Sequence, residues 1–149
     1  MADIIHGATG AQGSPVLSAL TSAGRSVVAA VRHPEAVPDG IVARQVDLAS
    51  AASLASVYES ADGVFIHLPM GAPEAAAAQA RAVVEAVAQA RPGRVVISTS
   101  GQIVDQPGSP LQAAVDSPIM TLIDGVTGSG VPTAVVAPRL YLENLLLPV

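Results

Sequence analysis

The sequence predicts an α/β fold, a doubly wound parallel sheet with strand order 3-2-1-4-5-6, on three observations. Short Val/Ile-rich runs alternate with helix-like segments along all 149 residues. Most of those runs are nearly continuous in hydrophobicity, as strands covered on both faces should be. The first run passes straight into three glycines spaced three apart, Gly7, Gly10 and Gly13. Right-handed crossovers between parallel strands are the expected way to join such elements.

Asp3–His6 is the first expected strand, followed by a helix over Ser14–Ala23 with Pro15 in its first turn, where a missing N–H costs nothing. Gly24 marks its end. The second strand, Ser26–Val31, ends in Arg32. A third, Ile41–Arg44, leads to a helix over Ser50–Ser60 with Ser50 as N-cap. Gly63–His67 is the fourth strand. The helix over Glu74–Ala90 is the richest in alanine, a strong helix former small enough to lie close to a sheet, and carries no site. Gly93 follows its end, and Arg94–Thr99 is the fifth strand. Residues 101–118 hold three prolines, two glycines and little periodicity; a flexible lid and an ordinary irregular connection fit them equally. A helix over Ser117–Ser129, capped by Ser117, and a sixth strand over Thr133–Ala137 complete the pattern.

Composition removes several function classes. Half the residues are hydrophobic, enough for one well-buried domain. With one Phe, two Tyr, no Trp and a formal charge of −5, the chain has neither stacking aromatics nor a basic stripe, so no nucleic-acid partner is expected. All seven basic residues are arginines. The lack of lysine removes Schiff-base chemistry, a Walker-type phosphate lysine and any Tyr/Lys proton-transfer pair. The lack of cysteine removes disulfides, thiol nucleophiles and thiolate metal sites. His6, His33 and His67 are too scattered to predict a metal site. No apolar run approaches the roughly twenty residues that span a bilayer, and Asp3 and the glycine turn interrupt any signal-peptide pattern. No membrane association and a cytoplasmic location are expected.

The glycines carry the functional expectation. A strand turning sharply into a helix needs a residue that tolerates positive φ; close approach of a pyrophosphate needs a missing side chain; close helix-on-strand packing needs another. The helix that follows points free N–H groups and its positive dipole end at the phosphates. Arg32 falls where the dinucleotide fingerprint places its ribose-reading residue, about twenty residues on. A tight βα turn that binds nothing is the alternative. Ligands of such sheets collect beyond the carboxyl ends of the strands. The loops that matter are therefore 7–13, 32–34, 47–48, 67–71, 98–102 and 138–141.

Four segments together resemble the NmrA-like group of atypical short-chain dehydrogenase/reductases: Gly7-Ala-Thr-Gly-Ala-Gln-Gly13, Val-Arg-His-Pro at 31–34, Val-Asp-Leu at 46–48 and Pro-Arg-Leu-Tyr-Leu-Glu-Asn-Leu at 138–145. The resemblance implies a Rossmann domain over residues 1–149 that binds NADPH or NADP in preference to NAD. It places Gly7, Thr9, Gly10, Ala11, Gln12 and Gly13 around the pyrophosphate, and Arg32 against the adenosine 2′-phosphate, which a guanidinium grips with two parallel hydrogen bonds. Asp47 and Leu48 would line the adenine. His67, Leu68, Pro69 and Met70 would flank the ribose and nicotinamide, with Ser98, Thr99 and Ser100 near the reacting ring. The group includes NADPH-dependent reductases of quinones and related carbonyl or alkene compounds, and members that bind the dinucleotide as redox sensors.

Two departures qualify what the resemblance implies. The tyrosine and lysine four residues apart that move the proton in classical relatives are absent, so no catalytic residue is assigned; Tyr58 is expected to be an ordinary half-buried aromatic. The family also continues well beyond this ending, so the chain reads as truncated after the sixth strand, without most of the substrate-binding part. A naturally short chain whose apolar last ten residues are covered by a partner is the other possibility, and both imply a homo-oligomer or subunit contact there. Three functions follow: a reductase of a quinone or small conjugated carbonyl, a non-catalytic NADP(H) sensor acting through a protein partner, and a cofactor-free remnant that makes protein contacts.

Overall fold

The computed structural model describes residues 1–139 and Tyr141. Strands β1 (Asp3–His6), β2 (Val27–Val31), β3 (Val42–Gln45), β4 (Gly63–His67), β5 (Val95–Ser98) and β6 (Thr133–Val136) form one parallel sheet in the order β3-β2-β1-β4-β5-β6. Helices α1 (Gly13–Ser22), α2 (Ala51–Tyr58), α3 (Pro73–Ala90) and α4 (Pro118–Gly128) make crossovers, and one 3-10 turn over Pro34–Ala36 precedes β3. The predicted fold class and strand order are thus the observed ones. The chain crosses from β3 at one edge back to β4 beside β1, and this reversal opens a crevice beyond the ends of β1 and β4.

Alternation along the strands assigns each face its helices. Ile4, Val64, Ile66, Val95 and Ile97 pack against Leu54 of α2, Val83 and Val87 of α3, and Leu122 of α4. On the opposite face Ile5, Ala29 and Val31 pack against Leu17 of α1, with Val16, Leu20 and Phe65 half-buried around them. The expectation that most strands are covered on both faces fails at the edges: Val42 of β3 is 52% exposed and Val136 of β6 is 50% exposed. Among the described residues α1 is the only helix of its face. Its side of β4, β5 and β6 is left as an apolar groove lined by Val16, Leu20, Phe65, Val96 and Val136.

Local chemistry explains the ends. Gly24 closes α1 at φ +73, with Arg25 N–H donating to the Leu20 carbonyl at 3.0 Å and Gly24 N–H to Thr21 at 2.9 Å. Ser50 and Ser117 cap α2 and α4 by accepting from the N–H of Ser53 and Met120. α2 stops before Ser60, which turns left-handed at φ +61. The left-handed residue after α3 is Arg91, not a glycine; Gly93 serves close packing instead, because a Cβ there would lie 2.7 Å from the Asp62 carbonyl oxygen. At the amino end of the sheet the buried Asp3 carboxylate meets Arg25 Nε at 2.9 Å and Arg94 Nη2 at 3.6 Å, joining the exit of α1 to the start of β5.

The long connection after β5 is braced on itself. Ala113 N–H donates to the Ile103 carbonyl at 2.7 Å, and Gln106 N–H to the Gln112 side chain at 2.7 Å. Arg139 pairs with Asp105 at 2.7 Å, fastening this connection to the chain after β6. Among the described residues no helix is long and apolar enough to cross a membrane. The apolar ending expected to contact another subunit, 140–149, lies outside the described residues apart from Tyr141.

Candidate functional site

A cleft of about 230 Å³ opens beyond the ends of β1, β2 and β4, where the strand order reverses. Its floor is the glycine turn. Gly7 holds φ +57, and Gly10 N–H donates to the Gly7 carbonyl at 2.8 Å, which curls the chain toward α1. A Cβ on Gly7 would lie 2.6 Å from His67 Nε2, and one on Gly13 would fall onto the Gly7 carbonyl and 2.7 Å from that of His6. The first glycine thus makes both the turn and room for an imidazole, and the third lets α1 start against the end of β1. The first turn of α1 carries no acidic residue, and Gln12 at its cap makes no capping bond, so the positive end of the helix is uncompensated.

Gln12 is committed elsewhere. Its Oε1 accepts from Ser98 Oγ at 2.7 Å and its Nε2 donates to Ser100 Oγ at 3.0 Å. Ser100 is left-handed at φ +55, and its N–H donates to Ser98 Oγ at 3.3 Å. One amide therefore bridges the glycine turn to the end of β5, where the backbone turns sharply. Sequence spacing gave no sign of this bridge, since its ends lie 86 and 88 residues apart.

Of the residues singled out from the sequence, Gly7, Thr9, Gly10, Arg32, Leu48, His67 and Pro69 line the cleft. Gly13 packs behind it. Ala11, Gln12 and Ser98 line a neighbouring groove with Phe65, Val136 and Tyr141. Thr99 is fully buried, with its hydroxyl unpartnered among the described residues, and Leu68 is buried. Met70 is 99% exposed. Asp47 is exposed and holds its own loop: Oδ1 accepts from Ala49 N–H at 2.9 Å, and Asp47 N–H donates to Ser53 Oγ at 3.0 Å. His6 and His33, passed over as site residues in the sequence, also line the cleft. The parallel register of β1 and β4 brings His6 and His67 together, which their 61-residue separation conceals.

Tyr58 departs from expectation. It is fully buried, not half-buried, and its hydroxyl lies 2.7 Å from His6 Nε2. The phenol has no other acceptor among the described residues, so it donates to the imidazole. Burial, reinforced by His67, pushes the His6 pKa down to about 3, and burial raises that of Tyr58 well above its ordinary value. His67 is also shifted down, mainly by burial; the nearby backbone of Leu68 and His6 offsets this in part without meeting either ring nitrogen in hydrogen-bond geometry. Both imidazoles are neutral at physiological pH.

The family model for NAD(P)H-binding proteins matches residues 7–124, beginning at the first glycine of the turn. The chain belongs to that family. No curated protein matches this NAD(P)H-binding chain in sequence. Among solved structures it is similar to triphenylmethane reductase from Citrobacter sp., complexed with NADP(H), at TM-score 0.81 and 18% identity over 97% of this chain and 52% of that one. It is similar to an NADPH-dependent quinone oxidoreductase from Escherichia coli, complexed with NADPH, at TM-score 0.79 and 24% identity over 98% and 51%. It is also similar to a nucleoside-diphosphate-sugar epimerase from Staphylococcus aureus, at TM-score 0.79 and 21% identity over 97% and 53%. At these identities the likeness is one of fold, and this NAD(P)H-binding chain spans about half the length of each.

Proposed function

We propose that the chain binds NADP(H) across this cleft and serves a reductase of the NmrA-like type, with a quinone or small conjugated carbonyl as acceptor. The observation that carries the reading is the glycine turn with Arg32 on the rim of a cleft whose lining, among the described residues, holds no carboxylate. The residues fit the cofactor. Gly7 and Gly10 line the cleft without side chains and leave room for a pyrophosphate, the α1 N-terminus that follows would favour its charge, and His67 presents ring nitrogens with no partner among the described residues. Arg32 would take the 2′-phosphate; its side chain is in no ion pair among the described residues, and only its carbonyl is engaged, by Gln45. Leu48 would pack on the adenine, and Pro69 would flank the ribose and nicotinamide.

When bound, the nicotinamide supplies the hydride. The chain's own contribution is position. The Gln12 bridge fixes the end of β5 against the glycine turn, which sets where Ser98 and Ser100 stand relative to the cleft. With no lysine, and with Tyr58 buried on His6, an electrophilic acceptor is the natural substrate, and its proton comes from water or from these hydroxyls.

The buried Tyr58 also favours a second reading, an NADP(H) sensor that binds without turnover and signals to a protein partner. Fluorescence titration with NADPH, followed by NADPH consumption over a quinone panel, tests both. Saturable binding with turnover supports the reductase; binding without turnover supports the sensor. Absence of binding at high micromolar NADPH sinks both and leaves a protein-contact remnant.

A further inference from the structure

His67 stands at the end of β4 with its ring over the glycine turn, so close that Gly7 cannot carry a Cβ. Both ring nitrogens are buried, and neither meets a partner among the described residues. Buried polar groups are nearly always satisfied, and an exception in the wall of a cleft points to what the cleft holds. We propose that His67 is a proton-linked phosphate ligand: a phosphate oxygen of the bound dinucleotide, seated above Gly7, accepts a hydrogen bond from the ring, which takes up one proton from solvent as the anion enters.

This rests on the dinucleotide reading of the cleft and adds the chemistry of one contact. The surroundings determine the sign. His6 of β1 lines the same cleft, itself neutral and held by Tyr58 of α2. Arg32 and His33, just past the end of β2, line the same cleft, and Glu35 Oε1 lies 3.1 Å from His33 Nδ1. Among the described residues the lining holds no carboxylate, and burial opposes protonation of the free imidazole, offset in part by the nearby backbone of Leu68 and His6. A phosphate reverses that balance. The imidazole pKa therefore rises on binding, protons are taken up at pH values between the free and bound pKa, and affinity increases as pH falls through that window. One N–H bond forms on the imidazole as hydronium or a buffer acid gives up its proton, and no other bond changes.

Calorimetric titration of the whole chain with NADPH and NADH, in buffers of different ionisation enthalpy near pH 6 and near pH 8, counts the protons. Adenosine 2′-monophosphate, which lacks both phosphates of the pyrophosphate, is the control ligand. The expected result is uptake of up to one proton with both dinucleotides near pH 6, fading near pH 8. Uptake should be lost in His67→Gln, with affinity reduced about threefold to tenfold near pH 6 and little near pH 8. Imidazole nitrogen chemical shifts of His67, read by NMR in the unaltered chain, should move toward the protonated form on binding, which keeps the test independent of how the variant folds. Dinucleotide binding without uptake, or uptake that persists in His67→Gln, overturns the proposal while leaving the cofactor reading intact. Equal uptake with adenosine 2′-monophosphate also overturns it and assigns the proton to the adenosine end of the cleft. Failure of every dinucleotide to bind overturns the cofactor reading itself.

Discussion

Tyr58 and His6, 52 residues apart, form a buried pair in which the phenol donates to the imidazole at 2.7 Å. The pair ties the end of α2 to β1 directly beneath the cleft. Tyr58→Phe keeps the ring and its packing but leaves His6 Nε2 buried without a donor. A loss of about 1–3 kcal/mol of stability is expected, measured by urea unfolding near pH 7.5. A loss under about 0.5 kcal/mol would show that the contact is not a net hydrogen bond.

The same histidine makes folding pH-dependent. Its folded-state pKa of about 3 lies below its unfolded value near 6.5, so between the two the unfolded chain binds more protons. Stability is full above pH 6.5 and falls as pH drops toward 3, with a slope approaching 1.4 kcal/mol per pH unit from His6 alone. His67, also shifted down, adds to the slope in the same direction. Unfolding midpoints between pH 7.5 and pH 4.5 should fall steeply. His6→Asn should flatten the curve and lower it at neutral pH.

The fold was legible because its signals are local. A run such as Val27–Val31 declares a buried strand, and Ser50 or Gly24 declares a helix end, from a few residues each. The candidate cleft was legible where it rests on the turn itself, at Gly7, Gly10 and Gly13. What remained hidden depends on register: His6 beside His67, Tyr58 beneath them, and Gln12 reaching Ser98 and Ser100 are contacts between elements whose pairing no local pattern specifies. Asp47 shows the converse. Its carboxylate looked like a ligand group, and one of its oxygens instead closes an Asx-turn onto Ala49.

Gly13 and Gly24 separate steric from conformational demands. A Cβ at Gly13 would run into the carbonyls of Gly7 and His6, backbone that cannot move without opening the turn. Gly24 has positive φ, but nothing lies within 4 Å of an added Cβ. Gly24→Ala should therefore cost about 1 kcal/mol and leave NADPH affinity unchanged. Gly13→Ala should cost more stability and lower NADPH affinity at least tenfold, measured by calorimetry on the folded fraction. Equal affinities in the two variants would detach the turn from the cofactor.

Arg32 tests which dinucleotide the cleft prefers. A charge-assisted contact to the 2′-phosphate is worth roughly 1.5–3 kcal/mol, or about tenfold to a hundredfold in affinity. Arg32→Ala should weaken NADPH by that factor and leave NADH nearly unchanged, and Arg32→Glu should reverse the preference. Because the side chain is exposed, stability should be unaffected. Equal losses for both dinucleotides would mean that the guanidinium never meets the 2′-phosphate.

Gly125 shows how tightly the three-helix face is packed. A Cβ on this residue of α4 would lie 2.5 Å and 2.7 Å from the two methyls of Val84 on α3. In an isolated helix Gly→Ala adds about 1 kcal/mol of stability, whereas overpacking costs typically about 1–3 kcal/mol, so the steric term should win. Gly125→Ala is expected to lower the urea midpoint even though it improves helix propensity. Val84 is β-branched and limited in rotamer choice, so it cannot swing clear without disturbing α3. Val84→Ala in the Gly125→Ala background should recover part of the loss, although alone it removes half-buried apolar surface and destabilises. A double variant no more stable than the sum of the single effects allows would place the two helices farther apart than the sheet beneath them requires.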